Sequence, residues 1–149
     1  MKVLAVEDSA SARRVMQEIL LRLGLSLPEI RLASSAAEGQ AVFQEWHPDV
    51  VFLDIELDGG NGGIPAKSGK PTRALPMNGG ELGKLFLEEN PKLKLVVVTA
   101  HDPQHPPVRA LVDGGAVEVI VKPVLAAKVS QVLERVRAEE RGNGPRRRW

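Results

Sequence analysis

Val50-Val51-Phe52-Leu53-Asp54 is the stretch on which the reading of this chain turns. Four apolar residues run without polar alternation, Pro48-Asp49 precede them, and a carboxylate closes them. Such a run reads as a strand buried on both faces, which belongs in a parallel sheet covered by helices on its two sides. In sheets of that kind the ligand site lies beyond the carboxyl ends of the strands, so Asp54 stands where chemistry is expected.

Working outward, the same pattern recurs. Lys2 to Val6 is a short apolar strand ending on Glu7-Asp8, and Ser9 and Ser11 then offer helix-start chemistry. Val15, Met16, Ile19, Leu20 and Leu23 follow at helical spacing until Gly24. Glu29 to Ala33 reads as a second strand. Ser34 or Ser35 opens a helix to about Trp46, with Ala37, Ala41 and Val42 expected on its buried side. Beyond the central strand, a helix is expected from Glu81 to about Asn90, a strand over Leu93 to Val98 ending in Thr99-Ala100, and a short helix closed by Gly114-Gly115. A fifth strand, Val117 to Val121, ends in Lys122-Pro123. The last helix carries Leu125, Val129, Val132, Leu133 and Val136 as its stripe. Alternation of this kind specifies an α/β sandwich with a parallel sheet.

The totals agree with one domain and exclude several classes. The chain has 149 residues, 43% hydrophobic and 26% charged, with a net charge of +1. That balance recruits nucleic acid through no global field. It contains no cysteine, so disulfides and thiolate metal sites are impossible. No apolar run approaches the roughly 20 residues that cross a bilayer. A soluble cytoplasmic protein is expected, with a domain over 1–140 that carries an insertion near 59–80, and a flexible basic tail over 141–149.

The strand ends form one list: Glu7-Asp8, Asp54, Thr99 and Lys122. Three carboxylates on one rim repel one another, and a hard divalent cation with oxygen ligands, Mg²⁺ by default, relieves the repulsion. A lysine and a hydroxyl opposite them suit an incoming phosphoryl group attacked by a carboxylate. Asp54, at the end of the most buried strand, is the expected nucleophile.

With Val6-Glu7-Asp8-Ser9, Val51-Phe52-Leu53-Asp54-Ile55, Val98-Thr99-Ala100, Gly115-Ala116 and Val121-Lys122-Pro123 in this order, the chain resembles the receiver domains of two-component response regulators. The resemblance implies a flavodoxin-like five-stranded parallel sheet of order 2-1-3-4-5 with helices on both faces. It implies a stand-alone phosphoacceptor rather than an enzyme, taking phosphate onto Asp54 from a histidine kinase or phosphotransfer protein and switching a surface for a downstream protein partner. Asp8 and Asp54 would bind Mg²⁺ directly, Glu7 through water, and the Glu56 backbone carbonyl would complete the metal shell. Thr99 and Lys122 would hold the phosphoryl oxygens, Lys122-Pro123 would be a cis peptide, and the side chains of Glu56 and His101 would face an attacking water. Where the family usually carries an aromatic in its fifth strand, this chain has Val119. The family's Asn-Gly step after the phosphoacceptor matches either Asn61-Gly62 or Asn78-Gly79.

Other readings weigh less. A Toprim-like Mg²⁺ phosphotransfer or nuclease site would use Asp54-Ile55-Glu56 but gives Thr99 and Lys122 no role. A degenerate receiver would not keep Asp8, Asp54, Thr99 and Lys122 together. Ser68-Gly69-Lys70 is not a P-loop, because Pro71 replaces the Mg²⁺-binding hydroxyl. His101 and His105 read as solvated loop residues, since Pro103, Pro106 and Pro107 prevent the helix that would align them. Arg146-Arg147-Arg148 reads as a solvated end. Lys67, Lys70 and Arg73 would reach the phosphoryl site only if the insertion were a lid.

Overall fold

In the computed structural model, which describes residues 1–57 and 78–140, the apolar runs form β1 (Val3–Val6), β2 (Ile30–Ala33), β3 (Val50–Asp54), β4 (Lys94–Thr99) and β5 (Glu118–Val121). The helices are α1 (Ala10–Arg22), α2 (Ala36–Trp46), α3 (Gly79–Glu89), α4 (Pro106–Gly114) and α5 (Ala126–Glu140), with a 3-10 turn at Leu27–Glu29. All strand pairs are parallel and the order is β2-β1-β3-β4-β5. This is the expected 2-1-3-4-5 sheet.

Alternate residues of each strand feed opposite faces, as the period-2 geometry of a strand requires. Leu4, Val6, Val51, Leu53, Leu95 and Val97 pack with Phe43, Leu82, Phe86 and Leu111 from α2, α3 and α4. Val3, Ala5, Phe52, Val96 and Ile120 pack with Met16, Leu20, Val129 and Leu133 from α1 and α5. Both faces of the sheet are therefore covered, which is why the central strands read as unbroken apolar runs.

Several boundaries and faces differ from the sequence reading. Glu29 belongs to the 3-10 turn, where its carboxylate accepts from Ser26 N at 2.9 Å and from the Met1 ammonium at 3.0 Å. Those bonds hold Glu29 down to about 2, the Ser26 backbone N–H contributing most. Helix α3 begins at Gly79 because the Asn78 side chain caps it, accepting from Glu81 N at 2.8 Å. In α2 the buried residues are Ala36, Gly39 and Phe43, while Ala41 is exposed. The Phe43 ring stacks on Phe86 with centroids 4.2 Å apart, and this large apolar contact sets the helix's rotation. Val15 and Leu125, expected in the buried stripes, are exposed, and Leu125 precedes α5. The insertion's central residues, with Lys67, Lys70 and Arg73, and the tail with Arg146 to Arg148 lie outside the described residues.

Among the described residues no helix is long and apolar enough to cross a membrane.

Candidate functional site

β1 and β3 are neighbours, paired from Val3↔Val50 to Val6↔Leu53, so their C-terminal ends deliver Glu7-Asp8 and Asp54 to one rim. Ser9, which caps α1 by accepting from Ala12 N at 3.3 Å, also donates its own N–H to Glu7 Oε1 at 3.1 Å. The guanidinium of Arg13, one turn into α1, donates to the Glu7 backbone carbonyl at 2.7 Å. Nothing in the one-dimensional pattern singled out Arg13, because the bond depends on how α1 leaves the sheet.

Glu7, Asp8 and Asp54 each offer a carboxylate oxygen, and these atoms lie within 4.8 Å of one another. Among the described residues they are the one group of three or more such side chains able to hold a metal ion. Their all-oxygen donor set fits a hard divalent cation of the Mg²⁺ type. Opposite them, Lys122 Nζ stands 3.2 Å from Asp54 Oδ2 and 3.5 Å from Glu7 Oε2. The Lys122-Pro123 peptide is cis, as the resemblance implied.

Asp54 is 2% exposed, and its two oxygens face different partners. Oδ1 accepts from Glu56 N at 2.9 Å, and Oδ2 faces Lys122. Burial pulls the Lys122 ammonium down, but the charges of Asp54, Glu7 and Glu56 outweigh it, so its pKa stands above the ordinary lysine value. Glu7 goes the other way for a carboxylic acid. Burial, together with a shared hydrogen bond and the charge of Asp54, raises it to about 7, against the lowering effect of the Ser9 N–H and Lys122.

This shift carries a test. Because its folded value lies above 4.5, Glu7 favours the folded state in full below about pH 4.5 and loses that contribution as pH rises through about 7. Glu7→Gln lacks the ionisation. In chelator-treated protein its stability relative to wild type should rise across this interval, by about 3 kcal/mol. Thermal melts at matched pH check this; a constant difference from pH 4.5 to pH 7 would contradict the raised value.

Thr99, fully buried at the end of β4, donates through Oγ1 to Glu56 Oε2 at 2.9 Å and accepts there from His101 N at 2.9 Å. The other oxygen of Glu56 accepts from Ala100 N. The Glu56 side chain is thus bound to the β4 end, because Glu56 N is tied to Asp54 Oδ1 and the short turn after β3 aims its side chain across to the neighbouring strand. Glu56 is not among the three carboxylates of the cluster. His101 and His105 do meet, ring on ring at 4.2 Å, before α4 begins.

Of the two Asn-Gly matches, Asn78-Gly79 lies within the described residues. Gly79 lies against the strand end itself: a Cβ there would come within 2.7 Å of Ile55 Cα and 2.8 Å of Ile55 O. Asn78-Gly79 is therefore the step that closes α3 onto Asp54, with the asparagine as cap and the glycine as the close approach. Asn61-Gly62 lies outside the described residues.

Two cavities flank this region. One, of about 570 Å³, opens between α1 and the residues after β5 and is lined in part by Glu7, Asp54, Lys122 and Val15. The other, of about 580 Å³, lies between α3 and α4.

No protein-family model matches the sequence, and no curated protein matches it. Solved structures do. A CheY-like receiver domain protein from Methanospirillum hungatei superposes with a TM-score of 0.73 at 22% identity, over 95% of this chain and 97% of that one. A receiver domain protein from Clostridium thermocellum gives 0.72 at 22% identity, over 94% and 96%. The receiver domain of NtrX from Brucella abortus gives 0.71 at 25% identity, over 91% and 97%. With its β2-β1-β3-β4-β5 parallel sheet and near-complete coverage of these structures, this chain has the fold of a response-regulator receiver domain.

Proposed function

We propose that the chain is a phosphoacceptor receiver in two-component signalling, a signalling module whose only chemistry is on its own Asp54. The observation that carries this reading is the buried Asp54 carboxylate with Lys122 Nζ 3.2 Å from Oδ2 and Glu7 and Asp8 beside it. In the reaction an Asp54 oxygen forms a bond to phosphorus while the bond from phosphorus to the donor's imidazole nitrogen breaks, the electron pair leaving with the nitrogen. Lys122 holds the transferring oxygens by charge. Asp8, Asp54, Glu7 and the Glu56 carbonyl are the groups that would hold a divalent cation, which when bound would supply positive charge to the same oxygens. Hydrolysis of the acyl phosphate ends the signal.

The donor is a histidine kinase or a phosphotransfer protein, and the output is a changed surface read by a downstream protein partner in the cytoplasm. No membrane or nucleic-acid contact enters this reading. Incubation with acetyl phosphate and Mg²⁺, followed by intact-mass measurement, tests it. Addition of one phosphoryl group is the expected result; an unchanged mass would overturn the reading.

The same proposal treats residues near 59–80 as an insertion in a 1–140 unit. Asn61-Gly62-Gly63 and Asn78-Gly79-Gly80 are identical. Deleting Gly63 to Gly79 or Asn61 to Met77 therefore produces the same chain, one that keeps a single Asn-Gly step before Glu81. Shortening a loop changes its closure cost by only about 0.6 kcal/mol per halving. The deletion variant should melt cooperatively at or slightly above the wild-type temperature and still be phosphorylated. Loss of a cooperative melt would show that the segment belongs to the core.

A further inference from the structure

We propose that the Glu56 carboxylate is an internal competitor of the phosphoryl group, occupying the two oxyanion donors at the end of β4 until phosphorylation displaces it. The inference rests on the phosphoacceptor reading of Asp54 and deepens it by assigning what controls loading of that site.

The argument begins with hydrogen-bond capacity. A threonine hydroxyl has one proton to give, and a backbone amide has one. Thr99 Oγ1 gives its proton to Glu56 Oε2 at 2.9 Å, and Ala100 N gives its own to Glu56 Oε1. His101 N, donating to Thr99 Oγ1 at 2.9 Å, fixes the hydroxyl in that orientation. Two adjacent donors thus hold the two oxygens of one anion, the arrangement that binds carboxylate and phosphoryl oxygens alike. The site is already filled by an anion from the chain itself.

Its position makes the competition direct. Glu56 N donates to Asp54 Oδ1, so the occupying residue is also tied to the expected nucleophile. β3 and β4 are paired through Asp54↔Val98, which sets Thr99 and Ala100 immediately beyond the Asp54 level of the sheet. A phosphoryl group on Asp54 brings further negative charge toward donors that a carboxylate already holds, and like charges so close repel. One must leave. Glu56 is half-buried and Ala100 is exposed, so the glutamate side chain has water to swing into, whereas the acyl phosphate is fixed by its covalent bond.

The consequence is quantitative. When a binding-competent arrangement is populated only in part, apparent affinity falls by that fraction. Glu56→Ala removes the occupant, so the apparent affinity for a small phosphodonor should rise about tenfold. Glu56→Gln separates occupancy from simple charge repulsion: it loses the charge but keeps an acceptor for one of the two donors. Occupancy puts it between wild type and Glu56→Ala; repulsion alone makes the two variants equal.

The test is the time course of acetyl phosphate labelling with Mg²⁺, followed by intact mass over a range of donor concentrations, for wild type, Glu56→Ala, Glu56→Gln and Asp54→Asn. Alongside it, the Thr99 and Ala100 amide signals of each unphosphorylated protein are recorded by NMR. Support consists of a lower half-saturating concentration for Glu56→Ala, an intermediate one for Glu56→Gln, and displaced Ala100 signals in both variants. If wild type is labelled and Asp54→Asn is not, but Glu56→Ala loads no more readily than wild type or no more readily than Glu56→Gln, the competitor is overturned while the phosphoacceptor reading stands. If neither wild type nor either Glu56 variant is labelled, the phosphoacceptor reading fails and this inference falls with it.

Discussion

Asp54→Asn takes up no phosphoryl group from acetyl phosphate and Mg²⁺ under conditions that load the wild-type chain with one. The replacement has nearly the same shape, and its amide oxygen can still accept the Glu56 N–H that now meets Oδ1 at 2.9 Å. What disappears is the anionic oxygen facing Lys122 at 3.2 Å, and with it the nucleophile, because an amide oxygen does not displace a leaving group from phosphorus. The variant should also stay folded, since β3 is buried along its whole length and its apolar residues are untouched. Intact mass after incubation reads the result. Labelling equal to wild type would move the nucleophile elsewhere, and Glu7 and Asp8 would then be the carboxylates to replace next.

Gly79→Ala should be the most damaging single-methyl addition near the site. The new Cβ would stand 2.7 Å from Ile55 Cα and 2.8 Å from Ile55 O, both backbone atoms of the turn that follows Asp54. A side chain could rotate out of the way; a backbone turn anchored by Ile55 N to Val98 O at 3.0 Å cannot without moving the strand end. Overpacking of this kind costs up to about 3 kcal/mol. For a chain of this size the melting temperature should fall by roughly 10 °C. Phosphorylation should slow as well, because the displaced turn carries the amide that orients Asp54. Gly80→Ala is the control: its Cβ would meet only Asn78 Oδ1 at 3.4 Å and Pro107 Cβ at 3.9 Å. In a helix that change is neutral or stabilising by up to about 1 kcal/mol. Equal melting temperatures for the two variants would contradict the close packing of Gly79.

The contrast between the two glycines shows where the sequence stops being informative. Both stand in one Asn-Gly-Gly step, and no local pattern separates them. Only the approach of α3 to the end of β3 makes one intolerant and the other free. Glu56 repeats the lesson over a longer range. Its bonds join residues 43 and 44 positions apart, so no periodicity in the chain could announce them. The rotation of α2 is of the same kind: Ala37, Ala41 and Val42 formed a plausible stripe, but the stacking of Phe43 on a ring from another helix turned Ala41 to solvent.

The sequence by itself determined the five apolar runs, their alternation with helices, and the carboxylates, hydroxyl and lysine that close the strands. That information is local, because a strand covered on both faces must be apolar at every position and a residue at its end must emerge at the rim. The tertiary structure alone decided which way each helix turns, that Gly79 closes on the end of β3, and that the Glu56 carboxylate sits on Thr99 and Ala100. Those outcomes depend on distances between elements remote in sequence, which are set when two packed faces meet and not by the spacing of residues within either one.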